Sequence, residues 1–280
     1  MLRWCLQLCA LVLTTASLAW CTSTPDAVRP TALNEGYNQM YDLDFSGAHG
    51  TFDRWERAHP DDPLGPVSNA AAFLFSEFNR LKILEFDLFV SDSKFESRPK
   101  LSPDPRVKTE FEKELAKAVE IANQNLTSHP QDPRALFALA MANGLRGDYT
   151  AMIERRNLAS LTYVKNARNL AEKLLAEDPT YYDAYLAIGV ENYLLGINPA
   201  PVRWLLKLDG AQTDKEEGIE KLRLTASKGQ YLAPYARLLL SVAALRAHDL
   251  GTARRLLGDL SREYPQNDLY KKELARIQTQ

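Results

Sequence analysis

The stretch AVEIANQNLTSHPQDP, residues 118–133, has a near copy in AHGTFDRWERAHPDDP, residues 48–63. Each begins with alanine, reaches the proline of a His-Pro pair twelve residues later, and ends in aspartate and a second proline. Two later segments keep the first alanine and the proline at the same spacing. The complete set is Ala48 with Pro60, Ala118 with Pro130, Ala167 with Pro179, and Ala253 with Pro265. A unit that recurs in this way is typical of proteins built from stacked supersecondary units.

The spacing inside each unit predicts a helix that ends at the proline. Alanine lets two helices approach closely, and proline cannot continue a helix. Aspartates that follow the prolines, such as Asp62 and Asp132, are suited to cap the next helix. The apolar residues between Leu161 and Leu175 recur at i, i+3 and i+4, which is a helical period. No useful length of sequence alternates in the manner of a strand, so we predict an all-α protein.

On these residues the chain resembles the tetratricopeptide repeat (TPR) superfamily, from about residue 34 to the C-terminus, and is most similar in style to exported bacterial members. The resemblance implies an α-α superhelix, a TPR-like solenoid of antiparallel helix pairs. The closing prolines are 70, 49 and 86 residues apart, which exceeds simple multiples of a repeat of about 34 residues. We therefore predict about five degenerate repeats with insertions near 91–106, 150–160 and 197–214. A capping helix is expected over 268–280.

The first 21 residues have the layout of a secretory signal peptide. A single arginine precedes an apolar run that is too short to span a membrane, and small residues follow it. We expect export to the periplasm or cell surface, a linker over 22–33 and no membrane span after cleavage. A second interpretation makes Cys21 a lipidation site, but the bulky Trp20 before it argues for simple export. The body beyond Cys21 has no cysteine, which leaves no disulfide or thiol nucleophile there.

Composition argues against several classes of function. The chain has 34 basic and 36 acidic residues, a formal net charge of −2, and no block of lysine or arginine that would bind nucleic acid. Its four histidines show no metal-binding spacing, so we predict neither a metal nor another cofactor. No nucleophile elbow or phosphate-binding loop is present. We predict no catalytic residue and no enzymatic activity.

The TPR resemblance implies that first-helix side chains line a concave groove. Here they are largely apolar, whereas grooves that hold charged peptide tails usually offer Lys, Arg and Asn. Either the groove grips an apolar ligand or segment, or the inserted helices cover it and make it core, and the second alternative is favoured. An amphipathic insertion around Trp204 could provide the cover. The candidate binding residues are Arg134, Phe137, Met141, Asp183, Leu186, Tyr193 and Trp204.

Two functions follow as hypotheses. The first is an exported scaffold that mediates protein–protein interaction in the bacterial envelope, with a protein partner in the groove. The alternative is a periplasmic small-molecule-binding TPR protein that uses an apolar pocket under the 197–214 insertion. An exposed, ridged groove would favour the scaffold. A closed pocket of about 300–1,000 Å³ with a few converging polar groups would favour the ligand binder.

Overall fold

The computed structural model describes residues 32–83, 101–198 and 210–278, and every regular element in these ranges is a helix. This confirms the predicted all-α class. The α-helices are α1 Ala32–Tyr41, α2 Phe45–Ala58, α3 Leu64–Arg80, α4 Pro105–Ser128, α5 Pro133–Asp148, α6 Asn157–Glu177, α7 Tyr185–Gly196, α8 Lys215–Lys228, α9 Ala233–Arg246, α10 Leu250–Glu263 and α11 Asp268–Gln278. A π-helical turn, Tyr149–Ile153, follows α5, and a 3-10 turn, Tyr182–Ala184, precedes α7.

The helices pack in chain order as an α-α superhelix, which confirms the predicted architecture. Each odd-numbered helix from α1 to α9 pairs with the helix that follows it, and neighbouring pairs contact each other. The last helix, α11, packs on α10. Successive stacking of helix pairs is the arrangement of a helical-repeat scaffold.

The repeated sequence positions lie where the paired helices meet. The four alanines that precede the closing prolines, and the residues four positions after them, are all buried. The turns are also alike: the His59 and His129 amides donate to Trp55 and Asn125 carbonyls at 2.8 and 2.7 Å. The two aspartates beyond the prolines then accept from amides that begin the next helix, at 3.1 Å from Leu64 and 2.9 Å from Arg134. The residues from which the fold was predicted therefore also form the turns between successive helices.

The pair α7–α8 packs most closely at a glycine. Gly218 stands where the other second helices carry alanine, and a Cβ at this position would lie 2.5 Å from the Tyr193 amide nitrogen. It would also lie 2.9 Å from the Gly189 carbonyl oxygen. No side chain fits at that distance, so the two helix backbones are in near contact. The helix that carries Gly218, Lys215–Lys228, begins directly after the predicted insertion 197–214.

The predicted insertion near 150–160 consists of a π-helical turn and a break between two helices. The π-helical turn ends at Ile153, and the chain breaks at Arg155, which has a left-handed φ of 60°. A new helix, α6, begins at Asn157. Of the other two insertions, 91–100 and 199–209 lie outside the described residues, whereas Pro105 and Arg106 already belong to α4.

The first helix contacts the last repeat, so the two ends of the helical array meet. The Tyr41 hydroxyl donates to the Tyr231 carbonyl at 3.2 Å, and the Asn267 side-chain amide donates to the Tyr41 carbonyl at 2.8 Å. The Tyr41 and Tyr264 rings lie 5.7 Å apart, and the Gln266 amide donates to Asp42 at 2.7 Å. These contacts curl the superhelix onto itself.

Candidate functional site

A partly open cavity of about 190 Å³, which we call the chamber, lies on the concave side of the curled superhelix. The first helix of every pair, α1, α3, α5, α7 and α9, contributes to its lining. Most of the lining side chains are aliphatic, aromatic or methionine. They include Met40, Phe75, Phe137, Met141, Leu145, Leu186, Val190, Leu222, Leu239 and Val242.

Helix α1 covers the concave face, where the sequence favoured a cover formed by the inserted helices. The Tyr37 ring packs 5.4 Å from Phe52 and 5.2 Å from Tyr231. Its hydroxyl accepts a hydrogen bond from Ser68 at 2.9 Å and donates to the Met141 sulfur at 3.7 Å. The groove is thus covered by the chain's own first helix, which is as buried as a core element.

Five of the predicted site residues line the chamber together: Phe137, Met141, Asp183, Leu186 and Tyr193. Four of them are buried, and Leu186 is half-buried. They come from α5, the 3-10 turn and α7. The faces of α5 and α7 that the repeat pattern assigned to the groove therefore line one cavity. The structure therefore groups these residues around one cavity.

The other predicted residues are elsewhere. Arg134 lies in the first turn of α5, with 44% of its side chain exposed, and forms an ion pair with Asp62 that includes an Nε–Oδ1 contact of 3.1 Å. It is not part of the chamber lining. Trp204 and Cys21 lie outside the described residues.

Asp183 is a buried carboxylate that the fold itself uses. It accepts hydrogen bonds from three successive backbone amides, those of Gln230, Tyr231 and Leu232, at 2.8, 3.1 and 2.8 Å. Burial raises the pKa of Asp183, and the three amide bonds act in the opposite direction. The carboxylate holds the α8–α9 connection in place, and this connection carries Tyr231 to its contact with α1.

Asp148, at the end of α5, is a second carboxylate of the chamber and was not among the predicted residues. Its Oδ2 lies 3.5 Å from the Tyr235 hydroxyl, at the outer limit of a hydrogen bond. Burial raises the pKa of Asp148 to about 7, and the Tyr235 hydroxyl lowers it. Protein surrounds the Asp148 side chain, but the side chain faces the cavity. Part of its surface is therefore accessible.

The spacing of Asp148 in the sequence indicates that it lies on the groove-facing side of α5. It continues the stripe of Phe137, Met141 and Leu145, at spacings of three and four residues, which places it on the same face of α5. Extending the stripe by one turn would have included it. Tyr235 of α9 had no such signal, because the groove was mapped only on the two preceding first helices.

A polar network behind α7 fixes the start of α8. Arg168 Nε lies 2.6 Å from Glu191 Oε2, in ion-pair contact although the direction of the N–H is poor for a hydrogen bond. Burial raises the pKa of Glu191, and the Arg168 charge opposes this effect. Asn192 donates to Gln212 at 2.8 Å and accepts from the Asp214 amide at 3.0 Å. These bonds attach residues 212–214 to the back of the chamber wall.

Within residues 32–83, 101–198 and 210–278, no group of three or more His, Cys, Asp or Glu side chains is placed to hold a metal ion. In the same ranges, none of the helices combines the length and the apolar character needed to cross a membrane.

Comparison with known proteins gives one structural likeness. No protein-family model matches the chain, and no curated protein matches it either. Among solved structures, it is similar to the crystal structure of a thermophilic TPR protein from Thermus thermophilus. The sequence identity is 16%, the TM-score is 0.44, and the match covers 89% of this chain and 98% of that one. The fold assignment rests on the paired helices described above and not on this similarity.

Proposed function

We propose that this protein is a non-catalytic binding protein that holds a small apolar molecule in the chamber. The observation that carries this proposal is a partly open cavity of about 190 Å³ whose described lining is almost wholly apolar. A dry apolar cavity of about 150 Å³ in another protein binds benzene. Drug-sized ligands need about 300 Å³ or more. The chamber therefore suits a compound of about the size of a substituted benzene.

The burial of the predicted groove residues supports this function over peptide capture in the groove. Phe137, Met141 and Tyr193 are buried, and Tyr37 of α1 bonds directly to Met141. A protein segment could reach these side chains only after α1 had been displaced from its contacts with the second and last repeats. A small molecule can enter without that cost.

The entrance to the chamber is proposed to lie at the C-terminal end of α7. Leu194 and Ile197 both line the cavity, and they are 42% and 36% exposed. Both side chains therefore reach the surface as well as the cavity. They would be the first contacts of an incoming apolar ligand.

A glycine in the chamber wall allows a direct test. A Cβ built on Gly144 of α5 meets no atom within 4 Å, so Gly144→Leu should fill the chamber without a clash. Gly258 of α10 is the matched control, since a Cβ there approaches only the end of the Arg262 side chain, at 3.5 Å. Binding of benzyl alcohol would be followed by ligand-observed NMR. We expect binding by the natural protein and by Gly258→Leu, and none by Gly144→Leu. Equal binding by all three would refute the proposal.

A protein-interaction role on the outer surface is the second candidate. Helical-repeat scaffolds typically bind other proteins, and Leu158, in the first turn of α6, is 85% exposed. An affinity capture from envelope extract with the natural protein and with Leu158→Asp tests this role. A protein captured by both alike would not bind through this leucine.

We also propose that the protein acts outside the cytoplasm, in the periplasm or at the cell surface of a bacterium. Residues 1–21 support this through their signal-peptide layout. Simple cleavage is preferred to lipidation at Cys21. Intact mass of the mature chain distinguishes cleavage, lipidation and retention of the segment.

A further inference from the structure

The two carboxylates of the chamber differ in a way that bears on the chemistry of its ligand. Asp183 has three backbone N–H partners, so its capacity to accept hydrogen bonds is used within the fold. Among the described residues, the side chain of Asp148 has one hydrogen-bond partner, the Tyr235 hydroxyl, at the long distance of 3.5 Å. A carboxylate has about four sites that accept hydrogen bonds. Most of those on Asp148 are left for a group inside the cavity.

We propose, as an extension of the proposed function, that the ligand is a small apolar amine whose ammonium group is bound by Asp148 and Tyr235. An ammonium group has three donors. It can donate to both carboxylate oxygens and to the Tyr235 hydroxyl oxygen, while the apolar part of the molecule packs against Phe75 and Leu239 of the same lining.

The other polar groups of the chamber do not compete for this role. The titratable and charged side chains that face it, besides Asp148 of α5, are Tyr37 and Tyr41 of α1, Asp183 of the 3-10 turn, Tyr193 of α7, and Tyr235 and Arg246 of α9. Arg246 is the cation of this set and has interactions of its own. It stands eleven residues after Tyr235 on one helix, which is about 16 Å along the axis. Its repulsion of an ammonium group beside Asp148 is therefore weak.

Electrostatics gives this arrangement a pH dependence. A carboxylate in an apolar cavity is costly to ionise, whereas a bound cation compensates its charge. Burial raises the pKa of Asp148 to about 7 in the absence of ligand. The fraction ionised then rises about tenfold between pH 6 and pH 8, and the affinity for an amine that stays protonated should rise by the same factor. A neutral ligand should show no such increase.

Calorimetric titration of the full chain with benzylamine and with benzyl alcohol, its neutral analogue of equal size, tests the inference. We expect benzylamine to bind at least tenfold more tightly at pH 8, and this preference to shrink at pH 6. Asp148→Asn should abolish the preference for benzylamine over benzyl alcohol. Asp259→Asn, which changes an aspartate on α10 outside the chamber lining, is the matched control and should behave as the natural protein.

The outcomes separate this inference from the proposed function. Equal binding of the two compounds would overturn the amine assignment and leave the chamber as an apolar binding site. A preference that survives Asp148→Asn would also overturn it. Failure of both compounds to bind would overturn the proposed function together with the inference.

Discussion

Asp183 and Asp148 both line the apolar chamber, but their carboxylates differ in the hydrogen bonds that they accept. At the start of α7, the carboxylate of Asp183 fixes three successive amides of a neighbouring turn. At the end of α5, that of Asp148 has a single long contact with Tyr235. Burial raises the pKa of both groups. Their difference shows that hydrogen-bond partners, and not burial, separate a structural carboxylate from a candidate ligand-binding one.

The largest expected effect is the loss of Asp183. Asp183→Ala would leave the amide of Gln230 and the buried amides of Tyr231 and Leu232 without their acceptor, and each buried unsatisfied group costs about 1–3 kcal/mol. We expect the free energy of unfolding to fall by about 4 kcal/mol or more in urea denaturation. Asp183→Asn keeps one acceptor oxygen and should recover part of the loss. A decrease below about 1 kcal/mol for the alanine variant would mean that Asp183 is not structural.

Substitution of Asp148 should change the free energy of unfolding in the opposite direction from substitution of Asp183, and by a smaller amount. Its pKa is about 7 in the folded protein and about 3.9 in an unfolded chain, so the folded state binds more protons between these values. The stability that this group contributes is present below pH 4 and is lost as the pH rises to 7. Asp148→Asn should therefore raise the free energy of unfolding at pH 8, by at most the roughly 4 kcal/mol that corresponds to a pKa shift of this size, and leave it nearly unchanged at pH 4. Urea denaturation at both pH values measures the difference, and destabilisation at pH 8 would contradict it.

Arg134 lies on the same helix as Asp148 but outside the chamber, and it should have the smallest effect. Its pair with Asp62 is half-exposed, and such pairs contribute about 0.2–1 kcal/mol. Arg134→Ala should lower stability by that amount and leave benzyl alcohol binding unchanged. Loss of ligand binding in a folded Arg134→Ala protein would show that the site extends beyond the chamber.

Much of the fold could be predicted because its determinants are local. The alanines that allow helices to approach, the prolines that stop them and the aspartates that cap the next helix all act within a few residues of one another. Ala118, Pro130 and Asp132 are one such set, and each has the predicted role in the structure. The break at Arg155 was missed because a left-handed residue other than glycine leaves no clear signal in the sequence.

A covered groove was favoured from the sequence, but the cover was assigned to the inserted helices, because the contacts of α1 join residues that are distant in sequence. Tyr37 meets Met141 across 104 residues, and Tyr41 meets Tyr231 across 190. A repeat pattern specifies how each unit packs on the next, but not whether the first helix turns back onto the last unit. The chamber residues of α5 and α7 were thus placed on the correct face, and their burial by α1 emerged only from the tertiary contacts.

A crystal structure of the full chain under xenon pressure would test the central claim, that the concave face contains an apolar binding chamber. Xenon enters dry apolar cavities of this kind without needing a polar contact. We predict a xenon atom between Phe137 and Leu239 in the natural protein, and none in Gly144→Leu. A chamber without xenon, filled by side chains or ordered water, would contradict the claim.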